Sequence, residues 1–198
     1  MLPSARSTRG ITLIELMIVM TMLAIVITVG APSFGGFIKE GRLKSGMRAV
    51  AVSIQTARLK AINSNRRAYL DFAPGSLTPA DSFYTIWLDV DGDLSYDDGE
   101  ADSSGLAMPE TKSGISGFRL PRGVNFGISG VATGPDGMAI AADGVNFGGN
   151  DDVSFNGRGE ASSAGVVYIT GENGSIYSVT VTSLGAVRTW RWEDNQWK

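Results

Sequence analysis

The chain has 198 residues, 43% hydrophobic and 19% charged, with a formal net charge of −3. That composition fits a folded domain beside a membrane segment, and excludes a disordered chain or a basic protein that coats nucleic acid. There is no Cys and no His, which removes disulfides, thiol chemistry, and the commonest general base and zinc ligand.

The first predicted element is apolar. Arg6 and Arg9 lead into Gly10, and Ile11-Thr12-Leu13-Ile14-Glu15-Leu16 then opens a run broken by one carboxylate. From Leu16 to Ile38 no residue is charged. A helix of that length, rising about 1.5 Å per residue, covers the ~30 Å hydrocarbon core of a bilayer. A secretory signal peptide would have a shorter core with its cleavage site after it; here the candidate cut, Gly10, comes first. The basic flank places the N-terminus on the cytoplasmic side. An acid inside hydrocarbon is neutralised or paired. An amine freed at Ile11 would lie about one helical turn from Glu15. On chemistry alone, a signal-anchor helix with an acid near the interface also fits.

Arg9-Gly10 followed by Ile11 to Leu16 resembles the class III signal of type IV pilins and pseudopilins. The resemblance implies that a prepilin peptidase cuts after Gly10 and methylates the new amine of Ile11. It makes Glu15 the fifth mature residue, paired with a neighbouring subunit's amine in a filament, and Pro32 the family's helix-kinking proline. That family usually has Phe or Met where this chain has Ile11. Loss of residues 1–10 removes Arg6 and Arg9 and leaves a formal charge of −5.

Pro32 lacks an N–H and crowds the preceding turn, which predicts a kink or an interruption there. Gly30, Gly35, Gly36, Gly41 and Gly46 weaken the helix further. Beyond them Met47, Val50, Ile54, Ala57 and Ala61 recur at helical spacing, predicting a helix from about Phe37 to Ile62 with one face on a sheet. Asn63-Ser64-Asn65 stops it. Arg48, Arg58, Lys60, Arg66 and Arg67 read as its solvated face and end.

After residue 66 the period falls to two. Strands are expected at Ala68–Phe72, Tyr84–Asp89, Gly117–Arg119, Val124–Ile128, Ala139–Ala141, Val153–Phe155, Gly165–Thr170, Ile176–Thr182 and Val187–Trp192. Residues 71–82 and 99–116 read as loops, and Glu172-Asn173-Gly174 as a hairpin turn. The fold class is therefore α+β. It divides into a leader (1–10), a transmembrane and assembly helix (11–38), an amphipathic helix packing on a sheet (39–65) and a β-rich domain (66–198).

Asp89, Asp91, Asp93, Ser95, Asp97 and Glu100 fill the oxygen-ligand positions of a Ca²⁺ loop. Its sixth position should be Gly and is Leu94, with Gly92 two places early. A Ca²⁺ site and a plain acidic turn both remain open. Arg188-Thr189-Trp190-Arg191-Trp192 interleaves cations with aromatics, as single-stranded nucleic-acid surfaces do. Alternation puts Arg188, Trp190 and Trp192 on one face of the strand and Arg191 on the other. Glu193 and Asp194 follow and repel phosphate. No catalytic constellation stands out: there is no Gly-x-Ser-x-Gly elbow and no phosphate-cradling loop. The expectation is a non-enzyme without a cofactor, Ca²⁺ apart.

Val153-Ser154-Phe155-Asn156-Gly157-Arg158-Gly159, Ser162 to Ile169, Val179-Thr180-Val181 and Leu184-Gly185-Ala186-Val187-Arg188 resemble the GspH/FimT group of minor pseudopilins and minor pilins. So does Gln55 to Asn65. The resemblance implies a long N-terminal helix packed on antiparallel sheets in a sandwich-like domain. It implies a single-pass protein of the bacterial inner membrane with its C-terminal domain in the periplasm. Other pseudopilins or pilins, prepilin peptidase and lipid are its implied partners. The role would be that of a minor pseudopilin in type II secretion, or of a minor pilin of type IV pili. Members implicated in DNA uptake carry Gly-Arg-x-Arg where this chain has Gly185-Ala186-Val187-Arg188, so the first arginine is missing. On that basis Arg188, Trp190 and Arg191 are the candidate DNA contacts.

Overall fold

The computed structural model describes residues 10–72, 83–94, 118–128, 130–137, 140–141 and 143–198, without the side chains of 29–34. The chain divides into two compact units, Met1–Ile38 and Lys39–Lys198. Both contribute to one helix, α1 (Leu13–Ser64).

In the first unit Thr12 caps the helix. Its Oγ1 accepts the N–H of Glu15 at 3.3 Å, and its carbonyl accepts that of Leu16 at 3.2 Å. Thr12-Leu13-Ile14-Glu15 is thus a capping-box sequence, with Glu15 in the first turn where free amides favour negative charge. From Ile11 to Thr28 every described side chain is exposed; Leu13 is 77% accessible and Ile27 64%. The helix is not interrupted at Pro32, contrary to one of the two outcomes expected there. Proline forfeits one backbone hydrogen bond, and the turns on either side carry the element through. Among the described residues no helix is long and apolar enough to cross a membrane. The expected 11–38 span includes the six positions whose side chains are not described.

In the second unit α1 buries one row of side chains. Leu43, Val50, Ile54, Ala57 and Ala61 are fully inaccessible and Met47 nearly so. Burying the four larger ones stabilises by roughly 1.5–3 kcal/mol each. At the helix end Asn65 takes a positive φ of 51°. Arg66 N–H reaches back to Ala61 O and Asn65 N–H to Ile62 O, the paired bonds of a Schellman cap.

The row packs on two antiparallel sheets. The strands are β1 (Ala68–Asp71), β2 (Phe83–Leu88), β3 (Phe118–Arg119), β4 (Val124–Phe126), β5 (Val145–Asn146), β6 (Asp152–Phe155), β7 (Gly165–Gly171), β8 (Ile176–Val181), β9 (Val187–Glu193) and β10 (Gln196–Trp197). Among the described residues one sheet has four strands in the order β3-β2-β1-β6; the other has six, β10-β9-β8-β7-β4, with β5 also on β7. Register sets Leu70 against Ile86 on one side and Val153 on the other, all buried toward α1. In the second sheet Val167 faces Val179. Phe72, with rings of Tyr84, Phe126 and Phe147 within 5.4–5.9 Å, joins the two sets of strands. The architecture is α+β, a helix followed by antiparallel sheets.

The strand at 139–141 is corrected: Ile140 and Ala141 lie outside any strand, and Ala139 falls outside the described residues. Two strands went unforeseen. β5 sits in a glycine-rich stretch and forms because Val145 and Asn146 pair with Val167 and Val166. β10 follows a two-residue turn, Asp194-Asn195, both at positive φ, the conformation a tight hairpin needs. The β7–β8 hairpin has Gly174 at φ 77°, in the turn the sequence marked.

Candidate functional site

Ile11 and Glu15 line one shallow groove of about 270 Å³ with Leu16, Val19, Met20 and Leu23. The two processing and assembly candidates therefore share a face, about one turn apart, on an otherwise apolar surface. Gly10 immediately precedes, exposed and in no regular element. The backbone at Pro32 is helical. Thr12, which fixes this turn, was not singled out from the sequence, although its spacing to Glu15 signals a cap.

A second constellation was also missed. Glu40 accepts hydrogen bonds from Tyr177 Oη at 2.7 Å and Asn173 Nδ2 at 2.8 Å, and lies 3.7 Å from the Arg191 guanidinium. Next to it Lys39 pairs with Glu172 at 3.1 Å. Burial pushes the Glu40 carboxyl up. The hydrogen bonds from Tyr177, Asn173 and Ser175, with the charge of Arg191, outweigh it and hold the group below the usual glutamate range. Tyr177 is pushed up to about 12 by burial and by its bond to Glu40. These contacts pin the β7–β8 hairpin to α1.

A third contact set closes the other end of the helix. Arg58 donates from Nε to Gly159 O at 2.9 Å and from Nη2 to Leu184 O at 3.3 Å. Two turns, 156–160 and 182–186, meet there, and glycine is required sterically. A Cβ on Gly157 would lie 2.4 Å from Asn65 Oδ1, and one on Gly185, at φ 77°, 2.3 Å from Gly159 O.

Among the acidic residues the structure brings Asp89, Asp91 and Asp93 together, their oxygens within 4.8 Å of one another. Ser95, Asp97 and Glu100 lie outside the described residues. Gly92 and Leu94 both have positive φ, 88° and 67°, so Leu94 takes the conformation usually reserved for Gly. The Asp89 carboxylate is buried and accepts the Gly92 N–H at 2.6 Å. Arg66 and Arg67 line the same groove.

The C-terminal cations are separated. Arg188 and Trp190 share an open groove of about 600 Å³ with Asp136, Asn146 and Thr182. Trp190 Nε1 donates to Thr180 Oγ1 at 3.0 Å. Arg191 is on the opposite face, over the Tyr177 ring and between Glu40 and Glu193. The neighbouring tryptophans serve packing: Trp197 lies 5.2 Å from Trp192 and 5.8 Å from Tyr168, and donates to Thr133 O at 2.9 Å. Arg188, Trp190 and Arg191 therefore do not form one surface.

Residues 5–31 match the family described as prokaryotic N-terminal methylation motif, and residues 47–185 match type II transport protein GspH. No curated protein sequence matches the chain. Among solved structures it is similar to the minor pseudopilin EpsH from the type 2 secretion system of Vibrio cholerae, at 10% identity over 77% of this chain and 97% of that one, TM-score 0.47. It is also similar to the type IV minor pilin FimU of Pseudomonas aeruginosa, at 13% identity over 82% and 96%, TM-score 0.45. These likenesses are of fold alone.

Proposed function

The chain belongs to the GspH family of type II transport proteins, and we propose that it is a minor pseudopilin that assembles with other pilin-like subunits in protein secretion. A prepilin peptidase cuts after Gly10 and methylates Ile11. Residues 11–38 anchor the precursor in the bacterial inner membrane, with the leader cytoplasmic and the sheets in the periplasm. The same helix later exchanges lipid for neighbouring subunits, and Glu15 pairs with the amine of the next Ile11. The family is one of structural subunits, and the reading assigns the chain no catalytic step.

One observation carries the proposal: the methylation motif opens a helix whose first unit leaves every described apolar side chain uncovered, while in its second unit the row from Leu43 to Ala61 is buried. Uncovered apolar surface on this scale needs lipid or protein around it. Glu15, alone among those side chains in its charge, is costly in either setting unless paired. Lys39, Arg42, Lys44 and Arg48 follow the apolar run, but they open a long domain, and long domains cross largely regardless of charge.

Mass spectrometry of the protein from its native membrane tests the processing step. The expected result is a mature chain beginning at methylated Ile11; an intact leader overturns it. Glu15→Ala is expected to insert into the membrane normally and to be depleted from sheared filaments. Incorporation at the native level would dispense with the charge pair. A deletion strain separates secretion from pilus assembly. Lost export with intact pili supports the pseudopilin, and the reverse makes the chain a minor pilin of type IV pili.

A further inference from the structure

Strand β9 has one edge that the described residues do not fill. On its inner side it pairs with β8, from Val187 opposite Val181 to Arg191 opposite Tyr177, with no bulge. On its outer side Arg191 exchanges both backbone groups with Lys198, at 2.9 Å each. In an antiparallel ladder successive residues turn those groups to opposite sides. Thr189 and Val187 therefore point theirs outward like Arg191, whereas Ala186, whose carbonyl accepts the Thr182 N–H, points inward. β10 pairs only with Trp192 and Glu193, so the outer groups of Val187 and Thr189 have no partner among the described residues. No proline blunts this edge. Beside Val187 a cleft of about 260 Å³ opens between β9 and α1, walled by Gln55, Leu59 and Ile62. Arg58 fixes its shape through the bonds to Gly159 O and Leu184 O. On the opposite face Arg188 is exposed, and no carboxylate among the described residues pairs with it.

We infer that this edge takes up an extended segment of a different protein as an added antiparallel strand, with the pattern aliphatic–acidic–aliphatic. The two aliphatic residues stand opposite Val187 and Thr189, and each exchanges an N–H and a C=O with its partner. Their side chains share the α1 face, and the one opposite Val187 enters the cleft. The acidic residue stands opposite Arg188 on the other face, where opposite charges on neighbouring strands attract. A second copy offering the same edge does not fit. The register that uses both residues of both copies sets Arg188 directly against Arg188, and like charges so placed repel. A helix does not fit either, because its backbone groups are already bonded within it. The inference is independent of the assembly reading, since edge and cleft belong to the second unit whatever the apolar helix joins. The paired stretch is about three residues, roughly 10 Å, so the contact is weak for a free peptide.

The test titrates the end-capped peptide Gly-Ile-Glu-Ile-Gly into the isotope-labelled full chain in detergent, followed by amide resonances. The expected result is a shift of the Val187 and Thr189 amides that saturates in roughly the millimolar range, with slower exchange of both N–H groups against solvent. Methylating the two Ile nitrogens of the peptide should weaken binding at least about tenfold, because both face β9. Methylating the Glu nitrogen, which faces away, should leave the affinity within about twofold. A peptide with Lys in place of Glu should bind about fivefold more weakly, and Arg188→Glu should restore it. Arg188 is exposed, so the variant keeps the fold, and a thermal melt verifies it. The inference is overturned by unmoved Val187 and Thr189 amides, by equal loss for either methylation, or by a charge swap that restores nothing. Shifts of the same amides that grow with protein concentration, without peptide, would give the edge to a second copy and overturn it as well.

Discussion

Removing the Glu40 carboxylate should loosen the upper part of the buried helix row. Glu40 receives hydrogen bonds from Tyr177 and Asn173 at 2.7 and 2.8 Å, and its side chain is only 20% accessible. Bonds to a charged group that is mostly out of water are worth about 1.5 kcal/mol each, at the low end of their range. The half-exposed Arg191 adds less than about 0.5 kcal/mol. Glu40→Ala is therefore expected to destabilise the second unit by about 3 kcal/mol at neutral pH. For a domain of this size that lowers the melting temperature by roughly 6 to 12 °C. Glu40→Gln keeps the oxygen facing Tyr177 and loses the charge, so it should cost about half as much. The assay is a melt of the full chain in detergent, followed by helical circular dichroism. Its pH dependence has a definite sign. The folded carboxyl lies below its ordinary value, so its contribution is complete above the unfolded pKa and disappears as pH falls through the folded one. The gap between native chain and Glu40→Ala should hold from neutral pH down to the ordinary glutamate range and narrow as the pH falls below it. A gap under about 0.5 kcal/mol at neutral pH, or one undiminished in acid, would refute the clamp.

Gly185→Ala should cost at least about 2 kcal/mol in urea unfolding, because the residue needs a positive φ and its new methyl would meet Gly159 O; a neutral result would mean the two turns separate easily. Adding ~1 mM Ca²⁺ should move the melting temperature by less than about 1 °C, since Gly92 already holds the Asp89 carboxylate and Arg66 and Arg67 line its groove. A rise of several degrees would make Asp89, Asp91 and Asp93 ligands. Duplex and single-stranded DNA should give no salt-sensitive gel shift, because Arg191 is spent on Glu40 and Glu193. A shift abolished by Arg188→Ala would overturn that.

The buried helix row was legible because its spacing is local: Met47 to Ala61 repeat at helical intervals whatever they touch. Most strands were legible for the same reason, and the Glu172-Asn173-Gly174 turn by its chemistry. What escaped depends on partners distant in sequence. β5 is held by β7, and nothing within Val145-Asn146 announces it. Glu40 looks like any surface acid until Tyr177 and Asn173, more than a hundred positions away, arrive beside it. The Arg188–Trp192 motif suggested one surface, and strand alternation already placed Arg191 on the other side; what it could not reveal was that Arg191 is committed there. Nothing within the 153–159 segment announces why Gly157 is small: the helix end, at Asn65, comes to rest on it.

Where the four tryptophans sit has a practical consequence. Trp87 stacks on Tyr69 at 4.0 Å, and Trp190, Trp192 and Trp197 belong to β9 and β10. The helix carries no indole at all. Intrinsic fluorescence therefore watches the strands and is blind to a helix peeling away. If the emission and ellipticity curves of one sample part company during denaturation, the interval between them measures how far the rod detaches before the strands come apart.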